Sequence, residues 1–197
     1  LAFEIGKGIH ASMIIIPEMF NKTQITIDKI VRLIISSMIK RRIVGQKFGV
    51  VVVGEGIFHF LQDEDIASSG ITFDYDAHGH PELSEVSKAH VISKILKNRL
   101  KELNLDIICR PVEVGYSLRC VDPSAFDLTY CTTLGIGVKK LYDEGHSGCM
   151  VAVNLEEEVI PVYLKDVEDE HGKIRTRLVN IDKEVVRQTL AENIYYL

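Results

Sequence analysis

Short apolar runs alternate along this chain with longer stretches in which apolar residues recur every three or four positions. The runs Met13–Ile16, Phe48–Val53, Ile107–Val114, Met150–Val153 and Val159–Tyr163 are brief and rich in β-branched residues, as buried strands are. Between them, Ile27, Ile30, Val31, Ile34, Ile35 and Met38 fall at i, i+3, i+4, i+7, i+8 and i+11 and form one helical stripe. Thr26 is placed to cap that helix and Gly45 to stop it. The stripe predicts a core face and not a binding surface. A second helix is expected from near Ser84 to Leu103, burying Ile92, Ile95, Leu96, Leu100 and Leu103. Lys88, Lys94, Lys97 and Lys101 then stay in water, and His90 reads as a half-buried packing residue. A third helix opens near Pro123, where proline costs no helix hydrogen bond, and runs toward Glu144 with Gly145 as its stop. A fourth spans about Asp182 to Ala191. Such alternation predicts an α/β fold with a mainly parallel sheet flanked by helices. The segment Leu61–Pro81 reads as a polar insertion or flap.

Composition narrows the class. At 197 residues, 46% hydrophobic and 26% charged, the chain can bury one sizeable core and is expected to form one domain or one lobe of a larger one. A net charge of −5 argues against a general nucleic-acid surface, so any anion site must be local. No apolar run approaches the roughly 20 residues of a membrane span, and no secretory signal is present, which points to the cytosol. Cys109, Cys120, Cys131 and Cys149 form no C-x-x-C pair, which favours reduced structural thiols over a zinc knuckle or redox dithiol.

Candidate chemistry sits at the strand ends, because ligands of open α/β sheets collect outside the carboxyl ends of the strands. Glu18, Glu55, Tyr116 and Arg119 each lie just beyond an apolar run. The stretch from Arg110 to Asp127 sets two arginines, a tyrosine and a glycine between a predicted strand and a helix start, an arrangement suited to gripping a phosphate. Arg119 is foremost, since a planar guanidinium holds phosphate through two parallel charge-assisted bonds. A surface arginine paired with Asp122 is the plainer alternative. Glu55, taken alone, is a strand-end carboxylate equally consistent with solvation.

Other motifs carry less. Asp74, Asp76, His78 and His80 alternate along the chain and could chelate a metal, but an alternating polar face of a strand or flap explains them better. Val53-Gly54-Glu55-Gly56 lacks the third glycine and the downstream carboxylate of a dinucleotide turn. Lys40-Arg41-Arg42 complements a helix dipole and reads as a solvated helix end before a phosphate site. Ser117 and Ser124 have no His and Asp at triad spacing.

Five motifs in one order carry a family resemblance. They are Ile15-Ile16-Pro17-Glu18, then Val50 to Gly56, then Arg110-x-x-x-x-Gly115-Tyr116-x-x-Arg119, then the Pro123 to Asp127 helix start, and finally Glu144-Gly145-His146-Ser147-Gly148-Cys149-Met150. Together they resemble the C-terminal half of the 6-phosphofructokinase superfamily. Leu1 to Lys7 resemble the helix that follows the family's M-G-R motif. The glycine-rich donor loop and the catalytic aspartate loop have no counterpart here. The resemblance thus implies that residues 1–197 are the C-terminal, sugar-phosphate-binding part of a phosphofructokinase, with the catalytic residues expected in an N-terminal part and no metal ligand in this one.

By the same resemblance, Arg119 matches the arginine on the 6-phosphate of fructose 6-phosphate, and Arg110 one that reaches that phosphate from a neighbouring subunit. Glu55 matches a carboxylate on the sugar hydroxyls. Tyr116 stands where ATP-dependent bacterial enzymes carry histidine, and Cys120 where they carry glycine, which is similar to the pyrophosphate-dependent and mixed-donor branch. A D-x-H-G-H-like stretch also occurs in branches of the family. The implied activity is phosphoryl transfer from pyrophosphate or ATP to the 1-hydroxyl of fructose 6-phosphate in glycolysis, with Mg²⁺ neutralising donor charge. The implied assembly is a cytoplasmic homo-oligomer with shared sites and no nucleic-acid or membrane partner. The alternative is a non-catalytic regulatory subunit that binds sugar phosphate without transfer.

Overall fold

The structure, a computed structural model, describes residues 1–20, 25–61, 87–169, 172, 175 and 178–192. In chain order the elements are α1 (Ala2–Gly8), β1 (Met13–Ile15), a 3-10 helix (Pro17–Phe20), α2 (Ile27–Ile43), β2 (Val51–Val53) and a second 3-10 helix (Glu55–Phe60). They continue with α3 (Lys88–Glu102), α4 (Tyr116–Arg119), α5 (Ala125–Asp143), β3 (Cys149–Val153), β4 (Val159–Tyr163), α6 (Leu164–Val167) and α7 (Glu184–Glu192). Two compact units result, Leu1–Glu113 with Leu178–Leu197, and Val114–Arg177.

In the first unit β1 and β2 pair in parallel, with Met13 opposite Val51 and Ile15 opposite Val53. Side chains alternate across a strand, so Met13 and Ile15 enter one apolar cluster while Ile14 and Ile16 enter another. The first cluster gathers the α2 stripe, Ile57 and Phe58 after β2, and Val91, Ile92, Leu96 and Leu100 of α3. The second joins Phe3 of α1 to Val186 and Leu190 of α7. Gly6 lets α1 lie close to β1, since a Cβ there would stand 2.5 Å from Ile14 Cγ1. The strand is therefore buried on both sides.

The predicted α2 stripe is the buried stripe, from Ile27 to Ile35, with Met38 packed at its margin. Thr26 Oγ1 accepts from Lys29 N at 3.2 Å and caps the helix. At the other end Gly45, with φ +83°, lets Gly45 N donate to Arg42 O and Gln46 N to Arg41 O, satisfying carbonyls the helix leaves open. Helix α3 stops in the same way at Asn104, φ +54°, with Leu105 N donating to Leu100 O at 2.8 Å. This reversal begins at Leu103, which is 52% exposed and not buried as its spacing predicts. His90 is exposed too, because it lies in the first turn with its ring Nδ1 2.7 Å from Ser87 Oγ. Ser84, the predicted insertion beyond Leu61, and Asp74 to His80 lie outside the described residues.

The fold is α/β, and the sheet among the described residues is small and not clearly the mainly parallel one expected. Among the described residues there are two ladders, the parallel pair β1–β2 and the antiparallel pair β3–β4. The run Ile107–Val114 forms no ladder among them. Leu105, Ile107 and Cys109 pack against the core while Ile108 and Val112 are exposed, so this run is extended with one side covered. Apolar periodicity reports that covered side, whereas a strand also needs a neighbouring backbone edge to bond.

In the second unit α5 lies on the β3–β4 hairpin. A Cβ on Gly137 would stand 2.6 Å from Val151 Cγ2 and 2.8 Å from Val159 Cγ1, so glycine sets the approach. Ser124 and Asp127 form a capping box: Ser124 N donates to Asp127 Oδ2 at 2.8 Å, and Asp127 N donates to Ser124 Oγ at 3.3 Å. The helix ends at Gly145, φ +80°, as predicted. All four cysteines are free, but Cys120 and Cys131 are exposed and not the buried thiols expected. Burial pushes the half-buried Cys109 thiol up, against a weaker opposing effect of Lys97.

Candidate functional site

The parallel pair β1–β2 delivers two carboxylates to its carboxyl end, and the structure gives them different work. Glu18 follows β1 through Ile16-Pro17, and its Oε1 accepts from Val179 N at 2.9 Å. That bond ties the returning C-terminal segment to the strand end, so Glu18 is a tether. Beyond β2, Gly54 N donates to Ile15 O at 2.8 Å, after which the chain turns into the 3-10 helix. Glu55 is the first residue of that helix and is exposed.

Glu55 is ion-paired with Lys88, the first residue of α3. Lys88, predicted to be fully solvated, keeps only 24% of its side chain exposed, against 74% for Glu55. The same helical turn holds a second acid, since Glu113 Oε1 accepts from Ala89 N at 3.3 Å. Ser87 Oγ accepts from His90 N at 3.3 Å and completes the cap. One helix start thus anchors Glu55 and also the extended segment carrying Arg110, which is itself exposed.

Tyr116 and Arg119 are the first and last residues of the single-turn helix α4, in the second unit. Gly115 O accepts from Leu118 N at 3.1 Å and from Arg119 N at 3.2 Å, which closes that turn. Arg119 is exposed. The adjoining Pro123 to Asp127 stretch is a helix start whose acid is committed to capping. Hydrogen bonds from the Ser124 hydroxyl and then its backbone N–H hold the Asp127 carboxyl below the usual carboxylate range. The closing turn is structural as well: His146 Nδ1 lies 2.6 Å from the Tyr163 hydroxyl, pinning the end of α5 to β4.

No family model matches the chain. Among curated proteins it is 31% identical over 193 residues to the pyrophosphate–fructose 6-phosphate 1-phosphotransferase of Naegleria fowleri, covering 93% of this chain and 44% of the relative. To the protein of that name from Thermotoga maritima it is 30% identical over 192 residues, covering 95% and 45%. A beta 2 subunit of the same phosphotransferase from Arabidopsis thaliana is 21% identical over 228 residues, covering 89% and 40%. The chain belongs to the phosphofructokinase superfamily.

This phosphofructokinase-superfamily chain spans a little under half the length of those relatives and matches their C-terminal part. Its predicted site residues are divided, Glu55 and Arg110 in the first unit and Tyr116 and Arg119 in the second. Sequence reasoning missed Lys88 and Glu113. A lysine in the first turn of a helix opposes the macrodipole, and that local conflict is the signal that could have found Lys88. The basic triplet lies in the last turn of α2 as predicted, and two of its guanidiniums also bond backbone carbonyls: Arg41 Nη2 donates to Phe48 O at 3.2 Å and Arg42 Nη2 to Asp106 O at 2.8 Å. Among the described residues no group of three or more His, Cys, Asp or Glu side chains converges to hold a metal. No helix among them is long and apolar enough to cross a membrane.

Proposed function

We propose that this chain is the sugar-phosphate-binding part of a pyrophosphate-dependent phosphofructokinase. The protein moves a phosphoryl group from pyrophosphate to the 1-hydroxyl of fructose 6-phosphate in cytoplasmic glycolysis. The carrying observation is similarity over 93% and 95% of this chain to two proteins bearing the name pyrophosphate–fructose 6-phosphate 1-phosphotransferase. Those names favour pyrophosphate over ATP as donor.

Phosphoryl transfer is mostly positioning and charge stabilisation. In this reading the Arg119 guanidinium binds the 6-phosphate through two parallel bonds, assisted by Tyr116, and Glu55 accepts from the sugar hydroxyls. Arg110 serves the site of a partner subunit in a homo-oligomer. In this reading the proton acceptor and the donor loop are supplied by an N-terminal part and not by residues 1–197. Mg²⁺ would neutralise the donor's charge.

The test is turnover by the full-length protein with fructose 6-phosphate and either donor. Pyrophosphate-dependent formation of the bisphosphate supports the reading, with the 197-residue chain alone inactive. Sugar-phosphate binding without turnover by the full-length protein would make it a regulatory subunit instead. Mixing Arg110→Ala with Arg119→Ala subunits tests sharing, because closed two-fold symmetry makes lending reciprocal. A mixed dimer then has one site with neither lesion, and activity recovers only if Arg110 acts in trans.

A further inference from the structure

The ion pair at the start of α3 serves no evident purpose in folding. Lys88 opens the helix, where a cation faces the positive end of the backbone dipole, and such placement is unfavourable. An exposed ion pair contributes little stability in return. Yet the side chain is more than three-quarters covered and is directed at the carboxylate of Glu55, across 33 residues of sequence. Local conflicts of this kind concentrate at functional sites. The adjacent residue, Ala89, gives its N–H to Glu113, so one turn engages the acid after β2 and the acid at the end of the Arg110 segment.

The geometry points to Lys88 as a positioning residue for Glu55, holding its carboxylate in the orientation that accepts the hydroxyls of the sugar phosphate. This rests on the proposed role of Glu55 as a sugar ligand. Lys88 acts on the sugar only through that acid. A carboxylate on a short exposed turn has several rotamers, and an ammonium fixed by a helix start selects one of them. Pre-set geometry reduces the entropy that sugar binding must otherwise spend on ordering the site. The consequence appears in affinity for the sugar and leaves the donor side unaffected.

The test uses the full-length protein, with fructose 6-phosphate varied at saturating pyrophosphate. Lys88→Met keeps the apolar stem without the charge, Lys88→Gln is a second neutral form, and Lys88→Arg retains the charge. Both neutral variants should raise the KM for fructose 6-phosphate about three- to tenfold with kcat within about twofold of the parent. Lys88→Arg should restore most of the loss, and melting temperatures should move little. Combined with Glu55→Gln, Lys88→Met should add nothing further, since both lesions remove one interaction. Should the protein bind without turnover, the same comparisons are read as Kd by calorimetry. If Glu55→Gln weakens the sugar and neither neutral Lys88 variant does, or if the two losses add in full, Lys88 does not act through Glu55. If Glu55→Gln itself changes nothing, the assignment of Glu55 falls, and the role of Lys88 falls with it.

Discussion

In the first unit β1 is buried on both faces and α2, α3 and α7 close over it, whereas in the second unit α5 leaves Phe126, Leu128, Ile136, Val138 and Tyr142 exposed. Leu141 is the single buried hydrophobic side chain among the described residues of that second unit. Both units are rich in apolar residues, so composition does not separate them. Layers do. A sheet with helices on both faces offers every apolar side chain a neighbour, while one helix on a two-stranded hairpin has one face to bury. Apolar residues lie all round α5, the pattern of a helix suited to cover on more than one side. The first unit should therefore be sensitive to lost volume in its core, and the second to backbone approach and helix capping.

The largest effect is expected at Ile30, which is fully buried. Ile30→Ala should cost about 2–5 kcal/mol in urea unfolding, while the same truncation at exposed Ile136 should cost less than about 0.5 kcal/mol. Equal losses would break the contrast between the units. Next is Gly137→Ala, whose new methyl would press on Val151 and Val159 and should cost about 1–3 kcal/mol. Gly135→Ala meets nothing within 4 Å and should instead gain up to about 1 kcal/mol from helix propensity. Faster hydrogen exchange in β3 and β4 for the first variant alone would locate the damage at the helix–hairpin contact.

A smaller effect is expected from Ser124→Ala, about 1 kcal/mol for a lost N-cap. It carries a pH signature. The folded Asp127 carboxyl lies below its ordinary value. Its contribution is therefore complete above the ordinary carboxylate range and is lost as pH falls through the lowered folded value. Ser124→Ala should flatten that acid limb, seen as a smaller stability difference between neutral and acidic unfolding curves. An unchanged limb would show that Ser124 is not what holds the carboxyl down.

Local pattern made some of this legible. The Ile27 to Ile35 stripe, the Thr26 cap, the stops at Gly45 and Gly145 and the strand Val159–Tyr163 are set by neighbours a few residues away, and each appears as expected. What depended on distant partners did not. Ile107–Val114 has the composition of a strand but forms no ladder among the described residues, and Leu103 fits the apolar spacing of α3 yet lies at its terminating turn. Motif order identified the superfamily and nominated Glu55, Arg110, Tyr116 and Arg119. It could not show that Glu18, from an equally marked strand end, is committed to Val179. Nor could it pair Glu55 with Lys88: a lysine at a helix start is a local signal, but the identity of its partner 33 residues away is not.

The most direct test of the sugar-phosphate assignment is Arg119→Ala in the full-length protein, assayed with fructose 6-phosphate and pyrophosphate varied in turn. Loss of a charge-assisted contact of roughly 1.5–3 kcal/mol should lower kcat/KM for the sugar about ten- to over a hundredfold. The KM for pyrophosphate should stay near that of the parent. An unchanged KM for fructose 6-phosphate together with an unchanged kcat would contradict the assignment and remove Arg119 from the phosphate site.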